Sequence, residues 1–304
     1  MRPRRTVVLG VAATVVVLAI ALIGALVLGR DSPTDTGAAS ASSGGPSTPV
    51  GSSSGAPTSD LAPSTGPAVD PSVPAGALDP RTPQDRLGPV LLVPGYGGGK
   101  GGLLVLADLI RATGRDAEVL TLPGNGTGDL GEQMAVLDRA ADDAVTAGAP
   151  SVDVIGFSAG GLVAGLWVAR SDGADHARRV VSLGSPLHGT HLAAVGAENP
   201  DACPAACRQM VPGSTLLAEL HTAAIGTRVP WLSLWTARDE VVTPPESSRL
   251  DGALNVEVQS LCPGSTVTHG LLPTDPLVTT LVLHALTSGP LIAPPTPPAC
   301  PPTR

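Results

Sequence analysis

The sequence contains almost no lysine and few aromatic residues, although the chain has 304 residues. Lys100 is the single lysine, and the formal net charge is -8 at pH 7. Proteins that bind nucleic acids use clustered lysine and arginine side chains to contact phosphates. Because basic residues cluster only within the first five positions, the composition argues against a nucleic-acid partner. The scarcity of aromatic residues accompanies a general bias towards alanine, glycine, proline and valine and indicates no function.

Charged residues are also missing from Thr6 to Gly29, directly after three N-terminal arginines. As a helix, this stretch would be about 36 Å long, against a bilayer hydrocarbon core of about 30 Å. It predicts a transmembrane anchor within residues 1–30, and a cleaved signal segment, which usually has a shorter apolar region, is the alternative. Since the arginines stay in the cytoplasm, both alternatives export the rest of the chain. We therefore expect a single-pass protein of the cell membrane with an extracytoplasmic domain, or a secreted protein.

Large apolar residues are scarce in residues 31–84, which consist almost entirely of Ser, Thr, Gly, Pro, Ala and Asp. This composition cannot bury enough apolar surface to offset the entropy lost on ordering. A structureless loop of this length is also uncommon inside a compact domain. We predict a disordered linker there, followed by one folded domain in residues 85–290 and a proline-rich tail in residues 291–304.

Cysteine occurs at four positions, all in the part of the chain expected to be exported. An even count suits two disulfides in an oxidising compartment, although sequence alone does not fix their pairing. Cys203 and Cys207 are spaced to close a small loop, which leaves Cys262 to hold the tail through Cys300. A zinc site is the alternative, but no second close pair of Cys or His residues accompanies Cys203 and Cys207.

From Pro89 onward, short apolar runs rich in β-branched residues alternate with amphipathic stretches. This alternation is typical of strands and helices in a parallel sheet, and the continuous hydrophobicity of the runs predicts burial on both faces. We expect an α/β fold with a mostly parallel six-stranded sheet and helices on both faces. The predicted strands are Val90 to Val93, Ala117 to Leu122, Val152 to Phe157, Val180 to Leu183, Trp231 to Trp235 and Asn255 to Gln259. The predicted helices are Leu103 to Thr113, Leu130 to Ala147, Ala159 to Arg170, Ser214 to Ala223 and Pro276 to Leu286.

The segment Gly156-Phe157-Ser158-Ala159-Gly160 fits the pattern G-x-S-x-G and lies between a predicted strand and a predicted helix. A serine in such a tight turn projects above the sheet edge, and the glycines let neighbouring backbone pass close by. Ser158 is therefore the predicted nucleophile. The amide of Ala159, at the helix N-terminus, would face a developing oxyanion. A glycine-rich turn with an incidental serine is the alternative, which the flanking strand and helix disfavour.

A glycine-rich loop, Pro94-Gly-Tyr-Gly-Gly-Gly-Lys100, follows the first predicted strand. A second oxyanion donor is expected in this position, and the Tyr96 N–H is the candidate. A phosphate-binding loop is the alternative, but neither G-x-x-x-x-G-K-[ST] nor G-x-G-x-x-G aligns convincingly with these residues. The Tyr96 side chain either shapes the substrate pocket or covers apolar surface.

A nucleophilic serine needs a base to take its proton and an acid to orient that base. Around a G-x-S-x-G turn of this kind, the order along the chain is serine, acid, histidine. Asp239 follows the strand Trp231 to Trp235 and is the candidate acid. Glu240 and Glu246 are neighbouring alternatives that lie farther from the strand end.

Of the six histidines, His269 is the candidate base, because it lies between the last predicted strand and the last predicted helix. His188 and His191 follow the fourth predicted strand and could line the mouth of the site. They precede the acid, which disfavours them as bases. The remaining histidines are expected to be solvated (His176 and His221), or packed or capping (His284).

Together these motifs resemble the α/β-hydrolase superfamily, and more narrowly the small bacterial lipases and esterases called class 2 lipases. The resemblance covers roughly Pro89 to Leu286. It rests on Pro94-Gly-Tyr96-Gly-Gly, Gly156-Phe-Ser158-Ala-Gly160-Gly161, Gly184-Ser-Pro-Leu-His-Gly-Thr190, Asp239 with Leu250-Asp-Gly-Ala-Leu-Asn-Val256, and His269-Gly-Leu-Leu272. It implies the α/β-hydrolase fold, a triad of Ser158, Asp239 and His269, an oxyanion hole of the Tyr96 and Ala159 amides, and no cofactor or metal.

Two features depart from the family pattern. Pro94 stands where many relatives have a histidine, which leaves the role of the Tyr96 amide intact. The segment from Leu187 to Val229 is longer than a minimal connection, so it forms either a partial cap over the site or a disulfide-stapled surface excursion.

The expected activity is hydrolysis of carboxylic esters, including lipid esters, through an acyl-serine intermediate that water resolves. One alternative is acyl transfer, in which an alcohol replaces water at the same triad. Another is a noncatalytic binding domain on a hydrolase scaffold, since a fold does not fix a function. The expected partners are an ester or lipid substrate and the membrane that holds the N-terminal segment.

Overall fold

The computed structural model describes Thr82, residues 84–287, Gly289, Leu291, Ala293 and Cys300. The predicted membrane segment, nearly all of the predicted linker and most of the proline-rich tail lie outside the described residues. Among the residues that are described, none of the helices has the length and apolar character needed to cross a membrane.

Six strands form a single sheet in the spatial order β2-β1-β3-β4-β5-β6. The strands are β1 (Val90–Val93), β2 (Ala117–Val119), β3 (Val152–Phe157), β4 (Ala177–Leu183), β5 (Trp231–Trp235) and β6 (Leu254–Glu257). Every neighbouring pair is parallel, so the sheet is wholly parallel where the sequence predicted a mostly parallel one. The predicted six-stranded α/β fold is confirmed.

Nine helices lie in the described part of the chain. They are α1 (Gly101–Ala112), α2 (Leu130–Thr146), α3 (Ala159–Arg170), α4 (Gly173–His176), α5 (His191–Ala197), α6 (Ala205–Gln209), α7 (Thr215–Thr222), α8 (Val258–Leu261) and α9 (Pro276–Ala285). Aspartates begin two of the longer ones by accepting hydrogen bonds from free backbone N–H groups. Asp129 caps α2 in this way, and Asp275 caps α9.

An apolar cluster covers each face of the sheet. On one face, strand residues pack with side chains of α2, α3 and α7; on the other face, they pack with α1 and α9. Successive strand residues point to opposite faces, so Leu91 of β1 joins the first cluster and Leu92 joins the second. Because both faces are covered by helices, the exposed parts of the central strands are their ends, where functional groups can gather.

Two predicted strands end earlier than expected. β2 stops at Val119, three residues before Leu122, because this edge strand pairs with β1 at only three positions and the chain then enters a 3-10 turn at Pro123–Gly126. The last strand stops at Glu257, because α8 begins at Val258.

β4 begins at Ala177, earlier than predicted, since it contains two buried arginines. Arg178 donates to both carboxylate oxygens of Asp153 in β3, and Arg115 donates to the same carboxylate. These two side chains and Arg179 also donate to carbonyl groups of residues 285–287 at the end of α9. Burial, reinforced by the charge of Arg178, lowers the pKa of Arg179 to about 10. Charges can be buried where they are paired and hydrogen-bonded.

The four cysteines form the two predicted disulfides, Cys203–Cys207 and Cys262–Cys300, with Cα atoms 5.2 Å and 5.6 Å apart. The pairing removes the zinc alternative. The first disulfide packs against α5, since a Cβ atom placed on Gly196 of that helix would lie 3.2 Å from Cys207 Sγ.

Candidate active site

Ser158 lies in the tight turn that joins β3 to α3. Its φ of 53° and ψ of -126° are rare for a residue other than glycine. The Ser158 N–H donates to the carbonyl of Leu183 in β4 at 2.8 Å, which holds the turn in place. The turn requires glycine at positions 156 and 160. A Cβ atom added at Gly156 would lie 2.5 Å from the backbone nitrogen of Gly161, and one added at Gly160 would lie 2.2 Å from the carbonyl oxygen of Val93. The turn presents the serine side chain at the carboxyl edge of the sheet.

Asp239 and His269 form a hydrogen-bonded pair at the same edge. Asp239 lies beyond β5 and His269 beyond α8, and His269 Nδ1 is 2.8 Å from Asp239 Oδ2. The other carboxylate oxygen, Oδ1, accepts from the N–H groups of Val241 and Val242 at 2.9 Å and 2.7 Å. The carboxylate is fully buried. These contacts fix the acid so that it orients the imidazole, as an acid–base pair in nucleophilic catalysis requires.

The imidazole of His269 lies close to the serine turn. Its ring centroid is 5.0 Å from that of Phe157, the residue that directly precedes Ser158. Both Ser158 and His269 are described, and no hydrogen bond joins them in this structure. Such bonds are often long or poorly aligned without substrate and tighten in the reacting complex. The structure therefore joins the candidate acid to the candidate base and places the serine beside them.

Two backbone amides are available beside Ser158. A Cβ placed on Gly95 would lie 2.8 Å from Ser158 Cβ, so the loop after β1 passes directly along the serine. Within the described residues, the N–H groups of Tyr96 and Ala159 donate no hydrogen bond. Unpaired amides next to a nucleophile are suited to bind a developing oxyanion. The Tyr96 side chain is 41% exposed, and its partial burial raises the pKa of the hydroxyl, which is therefore neutral at pH 7.

The alternative acids lie at other points of the acid loop. Glu240 Oε2 accepts the backbone N–H of His269 at 3.3 Å, so it contacts the base loop through the main chain and not through the imidazole. Glu246 lies in the 3-10 turn Pro245–Ser248 with an exposed side chain.

His188 and His191 occupy the start of the segment that follows β4. His191 begins α5 with an exposed side chain, and the ring of His188 lies 4.5 Å from the ring of His221. His221, which was expected to be solvated, is exposed, and its Nε2 lies 3.1 Å from the carbonyl oxygen of Leu187. His284, expected to be packed or capping, has an exposed side chain in the last turn of α9.

Two buried threonines that no sequence motif indicated connect the loops of the site. Thr236 Oγ1 donates to the carbonyl of Val267 at 2.8 Å, which joins the acid loop to the base loop. Thr190 Oγ1 donates to the carbonyl of Val241 at 2.7 Å, which joins the start of α5 to the acid loop. A polar residue directly after a buried strand, as Thr236 is, was the one local signal for such a role.

The groups gathered at this edge are a hydroxyl, an imidazole, a buried carboxylate and two unpaired amides. These are the groups that acyl transfer through a covalent intermediate uses. Within the part of the chain that the structure describes, no group of three or more His, Cys, Asp or Glu side chains could hold a metal ion.

Solved structures with a similar fold include lipases. Lipase B of Aspergillus fumigatus matches with a TM-score of 0.58 and 20% identity, over 68% of this chain and 54% of that chain. Lipase BlEst2 of Bacillus licheniformis in its mature form matches with a TM-score of 0.54 and 16% identity, over 66% of this chain and 92% of that chain. In its propeptide form the same lipase matches with a TM-score of 0.54 and 18% identity, over 69% of this chain and 51% of that chain.

This chain thus spans about half the length of the Aspergillus lipase and nearly all of the mature Bacillus lipase. At these identities the likeness concerns the fold alone, and at that level the expected resemblance to α/β-hydrolase lipases is confirmed. No protein-family model matches the sequence, and no curated protein matches it.

Proposed function

We propose that this chain, which has the α/β-hydrolase fold, is a carboxylic ester hydrolase of the lipase and esterase type that acts through an acyl-serine intermediate at Ser158. The observation that carries the proposal is the buried Asp239–His269 hydrogen bond of 2.8 Å beside a serine in a strained strand-to-helix turn. A noncatalytic scaffold has no need to hold a serine in a rare backbone conformation next to such a pair.

In the proposed mechanism, His269 Nε2 takes the proton of Ser158 Oγ while Oγ forms a bond to the ester carbonyl carbon. The N–H groups of Tyr96 and Ala159 stabilise the negative charge that develops on the carbonyl oxygen. The tetrahedral intermediate collapses, the alkoxide leaves with the proton from His269, and an acyl-serine remains. His269 then takes a proton from a water molecule as this water attacks the acyl-serine. It returns the proton to Ser158 Oγ when the carboxylic acid leaves. Asp239 accepts the hydrogen bond of the Nδ1–H group and so holds this tautomer of the imidazole.

Exposed apolar side chains near the site favour an ester with an apolar acyl chain, such as a lipid ester. Tyr96 follows the glycine that touches Ser158, and Leu271 lies two residues after His269. Leu192 and Val195 lie on α5, whose first turn is bonded to the acid loop through Thr190. These four side chains are 41%, 48%, 56% and 63% exposed. Tyr96 and Leu271 belong to the loops that carry an oxyanion amide and the base, and α5 is hydrogen-bonded to the acid loop, so we infer that these side chains contact an apolar substrate.

The test is labelling and turnover of the full-length chain in detergent. A fluorophosphonate should label the wild-type chain once, and Ser158→Ala should fold, escape labelling and lose roughly 10⁴-fold or more in kcat. Ser260→Ala, which changes an exposed serine of α8, is the matched control and should keep both. Stoichiometric labelling of the Ser158→Ala chain would refute the assignment. A graded series of acyl esters then gives the acyl preference, and product analysis with an added alcohol distinguishes hydrolysis from acyl transfer.

We further propose that the domain works outside the cytoplasm and that the uncharged N-terminal stretch holds it to a membrane. The two disulfides support the location outside the cytoplasm, because disulfides persist in oxidising compartments. In native envelope material, the chain should resist alkaline extraction, and mass mapping without reduction should find both cysteine pairs. Four free thiols in that material would contradict export to an oxidising compartment.

A further inference from the structure

Gly184 is the first residue after β4 and lies directly behind the acid–base pair. Its φ is +54°, a left-handed conformation that side chains other than glycine rarely adopt. Its N–H donates to the carbonyl of Leu234 in β5 at 2.8 Å, which fixes its place between the two strand ends. A Cβ added there would lie 3.1 Å from both Asp239 Oδ2 and His269 Nδ1. These are the two atoms of the acid–base hydrogen bond.

We propose that Gly184 is a positioning residue for the reaction, whose bare Cα leaves the space in which Asp239 and His269 pair. The inference rests on the proposed function, because it concerns the base of that function. No resemblance or motif assigns Gly184 this role, and its neighbours become apparent only in the folded chain.

The pair has little freedom to move away from an added methyl group. Asp239 is held on its far oxygen by the two amides of residues 241 and 242. The imidazole of His269 packs on the ring of Phe157. The same Cβ would also lie 2.7 Å from Cδ1 of the fully buried Leu272. The contact with Leu272 forces a shift, and the two contacts of 3.1 Å require the pair to move by a few tenths of an ångström. In a close-packed interior this movement strains the hydrogen bond between Asp239 and His269.

The experiment is Gly184→Ala in the full-length chain, compared with Gly114→Ala. Gly114 also has a positive φ, +87°, but an added Cβ there would meet no heavy atom within 4 Å. Gly114→Ala therefore places alanine in an unfavourable backbone conformation but brings its Cβ into contact with no other residue. On a small activated ester, Gly184→Ala should lower kcat by about 10-fold and leave KM unchanged, because a misplacement of about 1 Å costs about 100-fold and the pair moves by only a few tenths of an ångström. It should also shift the low-field proton NMR signal of His269 Nδ1–H, because the strained hydrogen bond is weaker. Gly114→Ala should keep both.

A second variant separates the acid–base pair from the packing of Leu272. Gly184→Ala combined with Leu272→Ala removes the shortest contact and leaves the two contacts with the pair, so it should fold and stay about 10-fold slow. Recovery of turnover in the double variant would overturn the proposal. So would an unchanged NMR signal in folded Gly184→Ala, or failure of both variants to fold. An inactive wild-type chain, or an active Ser158→Ala chain, would instead refute the proposed function, because the NMR signal does not depend on turnover.

Discussion

At the scale of single residues, the candidate base differs from its rivals in what holds its ring. The imidazole of His269 is buried, bonded to Asp239 and packed on Phe157, whereas the side chains of His188 and His191 are exposed. We expect His269→Ala to lower kcat by roughly 10⁴-fold on a small activated ester. The double variant with Ser158→Ala should have a kcat little lower than that of either single variant, because base and nucleophile act as a unit.

His188→Ala and His191→Ala are the controls for this comparison, with folding checked by circular dichroism. Both should keep most of their turnover on the small ester, and His188→Ala should alter the preference among longer esters if its ring lines the substrate pocket. Near-normal turnover in folded His269→Ala, with collapse in either control, would make the proposed triad wrong.

The residues of the site divide by how local their signals are. Ser158 could be predicted, because a strand, a turn and a helix adjacent in sequence determine its position. Asp239 and His269 needed the additional rule of chain order, and the choice of Asp239 over Glu240 depended on a single position after β5. Gly184 could not be predicted from its neighbours in sequence. Its role comes from atoms 55 and 85 positions away along the chain, which only the packed sheet edge brings together.

At the scale of elements, an ion pair joins α7 to the end of α3. Arg170 donates to both carboxylate oxygens of Glu219 at 2.6 Å. The hydrogen bond from Arg170 lowers the pKa of Glu219 from its usual value of 4.5. Because the pKa is lower in the folded chain, the pair stabilises the fold above the usual value and loses this effect as the pH falls through the folded value.

Glu219→Gln should therefore lower the unfolding free energy at pH 7 by less than about 1 kcal/mol, since both side chains are more than a third exposed. The difference from the wild-type chain should shrink as the pH falls below the usual pKa of 4.5 and disappear below the lowered folded pKa, where the carboxylate is protonated in both states. Thermal unfolding of both chains across this pH range measures the difference in their stability. Glu118→Gln is the control, because Glu118 is exposed and forms no ion pair with another described residue. A difference that grew towards acid pH would contradict the assignment.

The sequence predicted elements with a strong local apolar pattern better than elements held by distant contacts. The strands β1, β3 and β5 and the helix α3 have the predicted bounds, because each is a mostly apolar run with a clear stop. The short helices α5 and α6 were not predicted, because contacts that the local pattern does not show hold them in place. Thr190, which precedes α5, is hydrogen-bonded to the acid loop, and the Cys203–Cys207 disulfide includes a residue of α6.

The segment after β4 was expected to form either a partial cap over the site or a disulfide-stapled surface excursion, and its two parts differ. Part of it belongs to the core, because Ala206, Leu216 and Leu220 are buried in the cluster that covers one face of the sheet. α5, by contrast, exposes Leu192 and Val195 beside the acid loop. The later part of the segment is thus packed on the core, whereas α5, which contacts the Cys203–Cys207 disulfide, is a candidate border of the site.

At the scale of the whole molecule, the two edges of the sheet hold different groups. The carboxyl edge carries the candidate site, and the amino edge carries the buried carboxylate of Asp153 with Arg115 and Arg178. The entering chain is bonded to this amino edge, since Thr82 Oγ1 donates to the carbonyl of Ala177 and Arg178 donates to that of Gln84. The end of α9 is bonded to the same arginines, so one cluster fastens both ends of the folded part.

This division predicts that Asp153→Asn affects stability and spares the chemistry. Removal of one partner from a fully buried pair leaves uncompensated charge, here on Arg178, and should lower the unfolding free energy by about 3 to 5 kcal/mol. Ester turnover per folded molecule should stay at the wild-type level, because the reacting groups lie at the other edge. Asp108→Asn is the matched control: its pair with Arg111 is largely exposed, so the loss should be below about 1 kcal/mol. Urea unfolding measures the expected loss of stability. Turnover at a temperature where all chains are folded measures whether the chemistry is unchanged. A folded Asp153→Asn chain that is as stable as the wild type, or that has lost turnover, would show that the two edges are not independent.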